Sequence, residues 1–484
     1  MNSQKRKIIP ITLHPEYRST PVHKIDEASS FLYEAQKKIY PRSVSGYFAR
    51  WRWGMVFLTQ LIFYGLPWIQ WGQRQAVLFD LGTKRFYIFG LVLYPQDFIY
   101  LAGILIIAAL SLFLFTTVAG RLWCGYTCPQ TVYTEIFLWI EQKFEGGRSA
   151  QIRRDTQAWS VDRLLRKTGK HVAWLTVALW TGFTFVGYFT PIKELGLEFL
   201  QINMSSWEVF WTLFYGFATY GNAGFLREQI CKHMCPYAQF QSVMFDKDTL
   251  VVTYDTTRGE PRGTRSRQTD ISTLNLGSCV DCSLCVQVCP TGIDIRNGLQ
   301  HDCIGCGACV DVCDTVMDKM GYARGLIKYS TENAMLQQSG NTNTLRHMLR
   351  PRVLIYATVL GLIILAMAVS LSTRTLFKVN VVRDRGVMAR EVPDGKIENV
   401  YRLQVMNATE ATQSYRISVS GITGLQVASE NEITIPSTQA KWMTVRLQAP
   451  VEAQTPGSHA MQFRIESINT PGLQTEKSVF LFPK

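Results

Sequence analysis

Five runs of mainly apolar residues punctuate the chain, at about 53–71 (WGMVFLTQLIFYGLPWIQW), 97–118, 172–190, 206–225 and 353–371 (VLIYATVLGLIILAMAVSL). Each falls in the range of roughly 17 to 25 residues needed to cross a bilayer as a helix. The second and fifth are nearly free of polar residues, whereas the third and fourth are rich in Trp, Phe, Gly and Thr. Beyond the fifth run the period changes from that of helices to that of strands. YRLQVMN, SYRISVSGI, LQVASENEITI, KWMTVRLQAP, MQFRIES and SVFLFP alternate apolar and polar positions and are parted by Gly, Pro, Asn and Ser. Short strands at such spacing predict an immunoglobulin-like β-sandwich of about 100 residues.

Charge orients the five runs. Lys and Arg number ten in residues 1–52, nine in 119–171 and fourteen in 226–352, but only three in 72–96 and one in 191–205. Basic segments stay on the cytoplasmic side. The N-terminus and the 226–352 segment are therefore expected inside, and residues 372–484 outside, in the periplasm. The net charge of +13 is spread between apolar runs and not gathered into one aromatic-laced patch, so it reads as topology and not as nucleic-acid binding. The start, MNSQKRKIIPITLHPEY, lacks the apolar core of a signal peptide, so the first membrane helix is expected to direct insertion.

The twelve cysteines bring in the chemistry, and none is left over. CVDCSLCVQVCPTGIDIRNGLQHDCIGCGACVDVC holds two C-x2-C-x2-C-x3-C runs parted by thirteen residues. This is the spacing of a two-cluster bacterial ferredoxin, in which the fourth cysteine of each run ligates the other cube. Cys279, Cys282 and Cys285 are thus expected to share a 4Fe-4S cluster with Cys313, and Cys303, Cys306 and Cys309 with Cys289. Zinc sites pair two C-x2-C knuckles instead. Cys289 is followed by Pro290 but Cys313 by Asp314, a departure from the ferredoxin pattern. The string GCGACV imitates a nucleotide-binding loop without the strand and helix that would confirm it, and its small residues are expected to pack closely on a cluster.

The remaining four cysteines form two C-x3-C-P motifs, CGYTCPQ (Cys124, Cys128) after the second apolar run and CKHMCPY (Cys231, Cys235) after the fourth. Cysteines at i and i+4 share one face of a helix, and the proline is suited to a bend or a first helical turn. Four converging thiols could serve helix packing, a third iron-sulfur cluster, a soft site for copper or a redox-active dithiol. His233 and Met234 read as neighbours more than as ligands. No histidine lies inside an apolar run, so no haem b is expected, and no Walker, flavin or nicotinamide fingerprint is visible.

A C-x3-C-P after each of two membrane helices, a two-cluster ferredoxin segment, one further membrane helix and a β-sandwich resemble the CcoG family, also called FixG or RdxA, across nearly the whole chain. The paired motif also occurs in the related NapH and NosR membrane ferredoxins, which lack this ending. The resemblance implies a bacterial cytoplasmic-membrane oxidoreductase that reduces Cu(II) to Cu(I) for assembly of cbb3-type cytochrome c oxidase. It would work with oxidase subunits or copper-delivery proteins and an unidentified electron donor. Cys124, Cys128, Cys231 and Cys235 are then the candidate catalytic and copper-binding residues. A quinol-oxidising relay subunit of the NapH/NosR type and a non-enzymatic assembly scaffold are the alternatives. The architecture expected is an α-helical membrane protein of five transmembrane helices carrying an inserted ferredoxin domain. Its parts are a cytoplasmic segment 1–52, a membrane region 53–245, the ferredoxin domain 246–352, the fifth helix 353–371 and the sandwich 372–484.

Overall fold

The computed structural model describes residues 38–72, 74–267, 275–337, 350–384, 389–392 and 395–483. The chain divides into two compact units, Met1–Ile69 with Gly103–Ile363, and Gln70–Ala102 with Ile364–Lys484.

The long helices of the sequence reading are present with shifted ends: Tyr47–Gly65, Phe98–Ala119, Val161–Val186, Ser206–Gly221 and Pro351–Ser372. Their starts follow local chemistry. Ser160 caps Val161–Val186 by accepting from the Arg163 amide, and the SSWE sequence closes a capping box between Ser205 and Glu208. The segments Pro95–Ala119 and Pro351–Ser372 are long and apolar enough to cross a membrane. The other three carry more polar groups. Val161–Val186 and Ser206–Gly221 pack closely where Gly182 meets the Thr212 carbonyl, a contact that a side chain on Gly182 would block.

Within this first unit the cysteine-rich segment is framed by an antiparallel pair, Val251–Tyr254 with Ile327–Ser330, and by the helix Ala308–Met320. Val252, Tyr254, Ile295, Val310, Met317, Leu326 and Ile327 form its core together with Cys279 and Cys285. A carboxylate of this segment also anchors the first long helix. Gly46, at that helix's N-cap, has no side chain to offer, and Asp311 accepts from the amides of Phe48 (3.1 Å) and Ala49 (2.7 Å) in its place.

The second unit is the expected sandwich. One sheet runs Gln426–Val427, Ala440–Pro450, Lys396–Asn407, Phe377–Arg383, with Arg390–Val392 also on Lys396–Asn407; the other runs Glu432–Ile435, Gln413–Ser420, Gly457–Ser467, Leu473–Phe482. Tyr401, Leu403 and Val405 alternate inward from the central strand and meet Tyr415, Ile417, Phe463 and Ile465. The Tyr401 hydroxyl donates to the Val479 carbonyl across the core at 2.7 Å. Residues 72–96, the connection between the first two apolar runs, contain a meander of Val77–Asp80, Arg85–Ile88 and Leu91–Leu93 that the sequence pattern did not predict. Its Leu78, Tyr87 and Val92 bury themselves with Met406 and Ala408. Strands this short give too few alternations to stand out from a loop.

Candidate redox centre

The eight ferredoxin cysteines line two cavities in crossed sets. Cys279, Cys282, Cys285 and Cys313 surround one, with Tyr254, Arg296 and Met317. Cys289, Cys303, Cys306 and Cys309 surround the other, which Cys285 also borders. Electrostatic neighbours agree: Cys313 responds to Cys285, Cys279 and Cys282, and Cys303 to Cys289 and Cys306. The structure thus places Cys313 at the cavity of the first run and Cys289 at that of the second.

Each cradle is shaped by two residues of left-handed backbone. Asp281 (φ 50°) and Ser283 (φ 53°) turn the first run, and Gly305 (φ 65°) and Gly307 (φ 71°) occupy the corresponding places of the second. The first run tolerates side chains because Asp281 is half exposed and binds Arg296 at 2.5 Å. The second cannot. A methyl on Gly305 would lie 3.3 Å from the Arg121 backbone, and one on Gly307 would lie 2.9 Å from Phe48. The glycines of GCGACV answer backbone handedness and packing against the neighbouring helical segments.

The two C-x3-C-P motifs share one local geometry. In each, the amide of the second cysteine donates to the carbonyl of the residue before the first: Cys128 to Trp123 at 3.1 Å, and Cys235 to Ile230 at 2.8 Å. This is the i→i−5 bond of a π turn, a feature frequent at functional sites. The second cysteine then forms the N-cap of a following helix, Pro129–Glu145 or Pro236–Met244, with proline at its first position. The expectation for proline holds. The expectation that each cysteine pair shares one α-helical face does not, because the first cysteine lies in one helical turn and the second caps the next helix, which its proline begins.

Tertiary contacts bring the motifs together. The Cys124 thiol donates to Gln241 Oε1 at 3.5 Å, and Gln241 is fully buried six residues after Cys235. Gln130, beside the first motif, donates to the Asn222 and Arg227 carbonyls ahead of the second. Cys231 responds electrostatically to Cys128, Cys124 and Cys235. Burial pushes Cys124 up to about 11 and Cys231 up to about 12, and burial likewise raises Cys128, so these are protonated thiols until a positive centre arrives.

This group abuts the second ferredoxin cradle. Gly125 lies against the backbone of Cys306 and Gly305. Cys124 and Cys231 pack on the apolar cluster that contains Cys306, Ile304 and Val312. Arg121, buried three residues before Cys124, spans the seam by donating to the His301 carbonyl at 2.6 Å and to the Ala238 carbonyl. Arg121, Gln241 and Gly125 escaped the sequence reading. An arginine at the end of an apolar run is indistinguishable there from a topology signal. His233 and Met234 are exposed.

Among the described residues no three Cys, His, Asp or Glu groups stand close enough to hold a single ion. A single ion requires all its donors within about 2 Å of one point. A four-iron cube spaces its thiolates more widely, and the two cavities with their crossed thiols fit it.

Comparison with known proteins agrees. A model of a 4Fe-4S dicluster domain matches residues 226–332, and one of a 4Fe-4S binding domain matches residues 101–146. The model of the IG-like fold at the C-terminal of FixG matches residues 367–483. Nitrogen fixation protein FixG of Rhizobium meliloti is 36% identical over 81% of this chain and 80% of its own. RdxB of Cereibacter sphaeroides is 37% identical over 90% and 93%, and RdxA of the same organism 36% identical over 82% and 86%. The chain belongs to the FixG/RdxA family. It is an iron-sulfur electron-transfer protein of the membrane, an oxidoreductase by chemistry. All four C-x3-C-P cysteines of this FixG/RdxA member fall within the matched iron-sulfur segments.

Proposed function

We propose that this FixG/RdxA protein reduces Cu(II) to Cu(I) at the C-x3-C-P thiols and releases the Cu(I) for assembly of a cbb3-type cytochrome c oxidase. The reading rests on one juxtaposition: Cys124 and Cys231 share an apolar cluster with Cys306 of the second ferredoxin run. Clusters held by the eight ferredoxin thiols supply one-electron reducing power at low potential. Each copper ion takes one electron, furnished to the protein by an external donor. Cu(II) prefers nitrogen and oxygen donors in a tetragonal array, and Cu(I) prefers thiolate and thioether. A buried set of thiols therefore favours the reduced ion and draws the reaction forward. Loading also requires that the protons on Cys124 and Cys231 leave.

In this reading all five long helices cross the bacterial cytoplasmic membrane. The cysteines and the N-terminus lie on the cytoplasmic side, and residues 372–484 lie in the periplasm, where oxidase subunits or copper-delivery proteins are met. The segments Tyr47–Gly65, Val161–Val186 and Ser206–Gly221 complete the count of five that the Lys and Arg distribution supports.

The test uses the full chain purified anaerobically, a chemical reductant, Cu(II) and a Cu(I)-specific chelator as indicator. Cys231→Ser/Cys235→Ser should abolish copper reduction while the iron of the ferredoxin segment is retained. Wild-type rates in that folded double variant would sink the proposal. Reduction of the clusters by quinol without copper turnover would point to the relay function of NapH and NosR instead.

A further inference from the structure

Among the described residues, three buried or half-buried cations at the seam between the second ferredoxin run and the C-x3-C-P motifs are ion-paired and a fourth is not. Arg52 faces Glu135 at 3.8 Å, Lys232 faces Asp302 at 3.3 Å, and Arg227 faces Glu141 at 2.6 Å. Arg121 is 5% exposed and meets no carboxylate within ion-pair distance among the described residues; its guanidinium is held by the His301 and Ala238 carbonyls and lies near His301 Nδ1 at 3.4 Å. A buried charge without a counter-charge is costly. Its field reaches thiols on both sides of the seam, Cys124 and Cys231 on one and Cys303 on the other, as well as His301 and Tyr237. Those thiols become negative when they hold metal, and the guanidinium then has its counter-charge.

The first run is richer in carboxylates, and the cation that meets no carboxylate there among the described residues, Arg265, donates to the Cys279 carbonyl at 3.3 Å but is only half-buried, so solvent screens its charge. Arg296 borders its cavity but is held by Asp294 at 2.7 Å and Asp281 at 2.5 Å, and the charge of Asp314 acts on Cys313. Two carboxylates on one guanidinium leave a net negative charge. A nearby positive charge favours the more negative, reduced state of a metal centre, and a negative charge disfavours it. Burial acts in the other sense, because removing water also disfavours the more negative state. Cys282 of the first cradle is exposed, whereas none of Cys289, Cys303, Cys306 and Cys309 is. Burial alone would therefore leave the second centre the harder to reduce, and a buried cation is needed to reverse the order.

We propose that Arg121 is a positioning residue for electrons: its buried guanidinium, without a carboxylate partner among the described residues, makes the second ferredoxin centre easier to reduce than the first, and would do the same for a metal ion held by the adjoining C-x3-C-P thiols. The direction of electron transfer in the proposed reductase, from the solvent-facing first run towards the C-x3-C-P seam, is then set by one side chain. The inference builds on the proposed function but is read separately from it. Midpoint potentials are measured without copper, so failure of copper reduction leaves the ordering standing, and the reverse also holds.

The experiment is an EPR-monitored redox titration of the anaerobically purified full chain. Arg121→Gln should lower the higher-potential signal by at least the 59 mV that equals a tenfold change in the reduced-to-oxidised ratio of a one-electron couple. The lower-potential signal should stay in place, and Arg121→Lys, which keeps the charge, should restore most of the loss. Asp281→Asn removes an exposed carboxylate beside the first cradle and suits the left-handed backbone there. It should raise the lower-potential signal alone. An unmoved higher signal in Arg121→Gln, or a response of the higher signal to Asp281→Asn, overturns the proposal. If Arg121→Gln does not assemble its clusters, the Asp281→Asn titration decides the ordering by itself.

Discussion

Gly125 sets the spacing between the first C-x3-C-P motif and the second ferredoxin run, and Gly125→Ala should disturb that spacing with little other effect. A methyl group there would lie 2.8 Å from Cys306 Cα, 2.9 Å from the Cys306 nitrogen and 2.9 Å from the Gly305 carbonyl oxygen. Ordinary contact begins near 3.4 Å, so the two segments must part by about 0.6 Å. All three neighbours are backbone atoms, which cannot rotate aside as a flexible side chain would. Overpacking of this kind costs about 1–3 kcal/mol, which a folded chain can absorb. The functional cost is of similar size, since a tenfold change in rate is about 1.4 kcal/mol. Positioned chemistry can lose about 10²-fold for a displacement of about 1 Å, so a shift of this size should slow copper reduction measurably, by at most about tenfold. The assay is single-turnover Cu(II) reduction by pre-reduced protein, with iron content measured on the same sample. Gly54→Ala is the control, since Gly54 lies in a helix with open space around it. Wild-type rates in Gly125→Ala with full iron content would show that the seam does not set the rate. Loss of iron would show that Gly125 supports the cradle and not the spacing.

Three further outcomes are expected. Cys289→Ser should remove the cluster of the second run and about four of about eight iron atoms, leaving the EPR signal of the first; loss of the first-run signal alone would contradict the crossed ligand sets. Copper loading should release protons, because Cys124 and Cys231 stand at about 11 and about 12 and hold their protons at neutral pH. Calorimetry in buffers of different ionisation enthalpy should therefore show affinity rising by about tenfold per pH unit for each proton released, and pH-independent binding would place the copper elsewhere. A reporter that functions only in the periplasm should be active when fused after residue 484, and activity of a cytoplasm-only reporter there would mean an even number of crossings.

What the amino-acid order determined by itself is whatever depends on short-range repetition. The two C-x2-C-x2-C-x3-C runs announce their clusters because a cube demands three thiolates from one tight loop, and loop geometry is local. The two most apolar runs announce themselves because a bilayer demands an uninterrupted stretch of about 20 residues. The sandwich was legible from alternation, although Phe377–Arg383 and Arg390–Val392 were missed, and so was the meander within 72–96. Both C-x3-C-P prolines gave correct helix starts, since proline suits the first turn through its fixed φ and missing donor.

The tertiary structure decided what depends on side chains distant in sequence. Asp311 caps a helix that begins at Tyr47, and Gln241 receives the Cys124 thiol 117 residues away. Gly305 and Gly307 are required by Arg121 and Phe48, which no local pattern joins to them. The meaning of Arg121 itself lies in its having no carboxylate partner among the described residues, and that shows only once the surrounding chain is in place. Metal-ligand spacing is written locally because the ligands must close on one small object. The electrostatic field around that object is a sum over the whole fold, and only the fold can supply it.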